Sequence, residues 1–113
     1  MTRVLLALAL SLGISAAIAA PKAQNARECA LYADLALVAA AAAKHGVERE
    51  RLEAMLLEIY GFSEQGLQVA RAIVDVVYRT PDVAGSPQAF ARLLGDTCVR
   101  TRGDMDSILG TSL

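Results

Sequence analysis

The chain has 113 residues, 55% of them hydrophobic, and a formal net charge of -1. That length allows one domain, and so apolar a composition excludes a disordered chain. Eleven Lys+Arg against twelve Asp+Glu leave no basic excess for a nucleic-acid surface. Two Cys, one His and no Trp leave little material for a metal cage or a catalytic cluster.

The first segment reads as an address rather than as fold. Arg3 supplies a short positive region, and Val4 to Ile14 is an apolar run broken by Ser11 and Gly13. Ala17-Ile18-Ala19 then forms an A-x-A cleavage pattern, which places the cut between Ala19 and Ala20. The stretch is at the short limit for a membrane span, and its last third is alanine-rich. Residues 1–19 are therefore expected to be a cleaved signal peptide, and residues 20–113 a single helical domain. No membrane span is expected once the signal is removed. Removal of residues 1–19 leaves 94 residues with a net charge of -2. The arginine and alanine bias suits a GC-rich bacterial genome, so the expected destination is the periplasm or the medium.

Apolar residues recur at three- and four-residue spacing, the period of helices. The first helix is expected from the N-cap Asn25, with Glu28 three positions on, to His45, where Gly46 ends it. Its face is Cys29, Tyr32, Ala33, Ala36, Leu37, Ala40 and Ala43, and no polar side chain occurs from Leu35 to Ala43. A helix apolar all round offers more surface than one core face requires. An exposed strip at Leu35, Val38, Ala39 and Ala42 is therefore a candidate interface with a second copy or another protein; the alternative is that this helix sits at the centre and is wholly covered within one chain.

A second helix, about Glu48 to Tyr60, places Leu52, Met55, Leu56 and Ile59 on one side, and Gly61 ends it. Ser63 caps a third, about Glu64 to Arg79, with Leu67, Ala70, Ile73, Val74, Val77 and Tyr78 inward. Thr80-Pro81 stops it, because the residue before proline is pushed out of the α region. Thr80 to Ser86 reads as a loop. Ser86 and Pro87 open a fourth helix bearing Phe90, Leu93, Leu94, Thr97 and Cys98 on one face. Gly95 within it suggests a close helix crossing, Gly103 ends it, and residues 104–113 are expected to form a loose tail. Short connections make consecutive helices fold back on one another. The expected fold is all-α, either a small four-helix antiparallel bundle or an orthogonal four-helix domain.

Cys29 and Cys98 are the only thiols in a chain read as exported, so a structural disulfide is the expectation. A redox pair would favour a C-x-x-C spacing, which is not present. His45 stands where a cation complements a helix C-terminus. The carboxylates at 48, 50, 53 and 58 lie among arginines, and Asp104-Met105-Asp106 lacks the glycine and distant glutamate of a calcium loop. The serines at 63, 86, 107 and 112 have no G-x-S-x-G context. Asp34, inside an apolar helix, is expected to pair with Arg71 or Arg100. No catalytic, metal or cofactor-binding residue is assigned.

In outline, a small exported helical chain with two far-separated cysteines resembles periplasmic acid chaperones and helical immunity proteins. That likeness lies in architecture alone. It implies work through protein contacts, and the expected function is a non-enzymatic binding module, inhibitor-like or chaperone-like. Its partner would be another protein or a second copy in a homodimer. The alternative is a carrier holding a small apolar ligand in an inter-helix cavity.

Overall fold

The computed structural model describes residues 22–110, so the signal-peptide expectation and its cleavage point lie outside the described residues. Six helices make up most of this span: α1 (Ala26–Lys44), α2 (Arg49–Tyr60), α3 (Glu64–Arg79), α4 (Pro81–Gly85), α5 (Pro87–Arg100) and α6 (Asp106–Leu109). No strand occurs among the described residues beyond one antiparallel bridge, Lys22 with Asp104. The fold is a small all-α domain with one disulfide.

Local chemistry sets the ends of α1. The Asn25 side chain accepts from the Glu28 N–H at 2.9 Å, and Glu28 Oε1 accepts from the Gln24 N–H at 2.7 Å. The box thus closes one residue further out than the usual reciprocal pair. At the other end the Gly46 N–H bonds Ala43 O and the Val47 N–H bonds Ala42 O, with Gly46 at φ +80°. This is the Schellman closure, which satisfies the last carbonyls. The same closure ends α5, through Arg102 N–H to Val99 O and Gly103 N–H to Cys98 O. Here Arg102, not a glycine, takes the left-handed position at φ +56°. Ser63 caps α3 by accepting from the Gly66 N–H at 3.1 Å.

The helices pack around α1. It touches α2, α3, α4 and α5, and its Cys29, Tyr32, Leu35, Ala36, Ala39 and Ala40 are buried. Its closest companion is α5, which runs antiparallel to it. Cys29 joins Cys98 near one end with 5.6 Å between the Cα atoms. One turn on, a Cβ added to Gly95 would sit 3.0 Å from the Ala33 Cβ. That contact is tighter than ordinary packing, so the small residues at 33 and 95 set the helix separation. On the opposite side α3 contributes Val69, Ala70, Ile73, Val74, Val76 and Val77 to the core.

Three expectations from the sequence are corrected. The stretch 80–86 is not a loop, because Pro81 both stops α3 and starts α4 as its first residue. Residues 104–110 are not a loose tail: Met105 is fully buried, Leu109 is buried, and α6 touches α3. The chain doubles back there because the Ala23 N–H donates to Gly103 O at 3.0 Å. Any side chain at 103 would collide with the Ala23 carbonyl, and φ is +97°, so glycine is required. Third, the shared side of Leu52, Met55, Leu56 and Ile59 is only partly covered, with Leu52 and Leu56 buried and Met55 and Ile59 exposed.

The disulfide spans a sequence separation of 69 residues. Closing a loop of that size stabilises by about 4 kcal/mol in the chain-entropy model. Cys29→Ser and Cys98→Ser should each lower the melting temperature, and the double variant should be no worse than either single one. Free thiols at full titre in the oxidised native protein would contradict the bridge.

Candidate binding surfaces

The strip expected to seek a partner lies in two different environments. Leu35 and Ala39 are 0% exposed, enclosed within the single chain. Val38 and Ala42 are half-buried and pack against the same core. The expectation of an exposed strip through Leu35 and Ala39 is therefore corrected. Alanine side chains are short enough for several helices to close on α1 at once, and that covers it without a second copy.

Several titratable groups are held in structural pairings. Asp34 does not meet Arg71 or Arg100; its Oδ2 accepts from the Tyr60 hydroxyl at 2.7 Å, tying the end of α2 to α1. Arg100 instead donates to Thr97 Oγ1 at 3.3 Å. Asp75 of α3 lies between Arg49 of α2 at 3.2 Å and Arg79 at 2.8 Å, while Arg49 also reaches Glu53 at 3.0 Å. The Tyr78 hydroxyl donates to Val47 O at 2.6 Å. His45 is the exposed C-cap of α1. Among the described residues no three His, Cys, Asp or Glu side chains come together to hold a metal. Within the same span, no helix is long and apolar enough to cross a membrane.

All three tyrosines are shifted upward. Burial pushes Tyr60 up to about 12, with the hydrogen bond to Asp34 and the charge of Asp34 adding to it. Burial also raises Tyr32, helped by Glu28. For Tyr78 burial is opposed by Arg49 and aided by Glu53.

Two surfaces could receive something. One is an open groove of about 580 Å³, formed by Leu37, Ala41, Lys44 and His45 of α1 with residues 85–89 opposite. The other is the exposed surface of α2, where Met55 and Ile59, 42% and 63% exposed, lie on one flank of the buried Leu52–Leu56 stripe and Leu57, 48% exposed, lies on the other. Beside Leu57, an apolar pit of about 40 Å³ opens between α2 and α3, lined in part by Leu56, Phe62, Leu67 and Val74. The Tyr60 and Phe62 rings stack at its end of the helix, 5.4 Å between centroids. Sequence reasoning put Met55 and Ile59 on the side of Leu52 and Leu56, which holds, but they lie at its edge and are exposed. Apolar residues in fact cover more than half the circumference of α2, and periodicity alone does not say which part is covered. Compared with known protein families, with curated proteins and with solved structures, the chain matches none.

The Tyr60 contact carries a pH dependence. A phenol raised in the folded state contributes stability that is complete below its unfolded value near 10. That contribution is lost as pH rises from there through about 12. Tyr60→Phe should remove the highest-titrating phenolate from the near-UV absorbance curve. It should also flatten the fall in stability over that window and cost about 1 kcal/mol at neutral pH. An unchanged absorbance titration at its alkaline end would contradict the raised titration of Tyr60.

Proposed function

We propose that this chain is a small exported, non-enzymatic binding module that works through protein–protein contacts, with the flank of α2 that bears Met55 and Ile59 as its contact face. The observation that carries this reading is the exposure of Met55 and Ile59, one turn apart on the same flank of a helix of 12 residues. Scattered single apolar residues on a surface need no explanation, but two large neighbours on one flank of a short helix, 42% and 63% exposed, form a patch suited to a contact. The disulfide supports an oxidising compartment and so the exported part of the reading. The non-catalytic part is supported by the carboxylates at 34 and 75, which are engaged by a tyrosine and by two arginines.

The carrier reading has weaker support. An enclosed apolar ligand site needs roughly 300 Å³ or more, whereas the pit between α2 and α3 has about 40 Å³. The larger groove beside His45 is open, so an apolar ligand there would stay wet on one side.

A photo-reactive residue placed at 55 or at 59 in the exported protein tests the contact face. Protein adducts are expected from both positions and not from 68, an exposed residue of α3. Absence of adducts at 55 and 59, or an equal yield at 68, would overturn the reading.

A further inference from the structure

We propose that α2 pairs with α2 of a second copy of this chain, antiparallel, about a two-fold axis passing beside Met55. This rests on the reading of α2 as the contact face, and names its partner. Arg51, Met55 and Glu58 follow one another along one side of the helix, about one turn apart. Arg51 and Glu58 are seven residues apart, two turns, so both project from the same flank with Met55 midway between them. Both are exposed, and neither takes part in an ion pair among the described residues, where the bridges use Arg49, Glu53, Asp75 and Arg79.

That pattern is self-complementary in one arrangement. A two-fold axis perpendicular to the helix at Met55 keeps each flank on its own side and reverses the order along it. Arg51 of one copy then meets Glu58 of the other, and the same pair repeats across the axis. Met55 lies against its own counterpart, while Ile59 stays on the other flank. A parallel two-fold pairing would instead exchange the flanks, so that Arg51 and Glu58 would face the apolar flank of Leu52 and Ile59 and find no opposite charge. Opposite charges placed symmetrically about an exposed apolar centre thus select a second copy, in one orientation.

Sedimentation equilibrium of the oxidised protein, lacking residues 1–19, tests this with charge swaps. One helix face makes a small interface, so the wild type should dimerise weakly, with a dissociation constant on the order of 10–100 µM. Arg51→Glu and Glu58→Arg should each weaken the dimer by about tenfold, since each substitution sets two like-charge contacts across the axis. The combined variant restores opposite charges and should return to within about threefold of wild type. Thermal melts should stay near wild type, because both side chains are exposed. A wild type monomeric at about 1 mM would overturn the pairing, as would single swaps without effect or a double swap as weak as the singles. Adducts at 55 with a different protein alongside a monomeric wild type would keep the contact face and reject the self-pairing. No adducts at 55 or 59 would remove both.

Discussion

The close approach of α1 and α5 is the constraint on which the rest of the structure depends. Ala33 and Gly95 leave no room for a larger side chain between the two helices. Cys29 and Cys98 lock the same pair a turn away. A helix surfaced with alanine gains little from burying any one residue, but its neighbours come near enough for their larger side chains to share the same space. Ile73, Val74 and Val77 of α3 and Phe90 and Leu94 of α5 fill that space around α1. The bridge supplies what so small an alanine-rich core lacks.

The same arrangement leaves α2 at the margin. It enters the core through Leu52 and Leu56, and the rest of its attachment is polar, through Arg49 to Asp75 and Tyr60 to Asp34. The partly exposed Arg49–Asp75 ion pair contributes little to stability, and the Tyr60–Asp34 hydrogen bond about 1 kcal/mol. Such a helix can present apolar side chains outward without weakening the centre. The hub is thus rigid where the chain needs stability, and the proposed contact face sits on its least committed element. This division of labour underlies the proposed binding role.

Much of the fold was legible because the helix ends carry their own chemistry. Asn25, Gly46, Gly61, Ser63 and Pro87 mark boundaries through side-chain caps, left-handed turns or a fixed φ, all of which act locally. The bridge was legible from two cysteines alone. What escaped depended on distant parts of the chain. Pro81 signals the end of one helix and equally the start of another, and only the following turn decides. Met105 and Leu109 are two apolar residues in a polar run, and nothing local says that α3 lies within reach of them. Leu35 to Ala43 is apolar all round, which fits both a central helix and an interface; the number of neighbours that close on it settles the matter. On α2 the shared side of Leu52, Met55, Leu56 and Ile59 was legible, but periodicity does not say that only Leu52 and Leu56 are covered.

Native-state hydrogen exchange tests the division between a rigid α1 hub and a marginal α2 most directly. The amides of residues 35–40 in α1 should exchange only through global unfolding and be the slowest in the chain. Those of α2 should exchange faster by about a hundredfold or more through local opening. Protection of α2 equal to that of α1, or loss of protection in α1 first, would contradict the account.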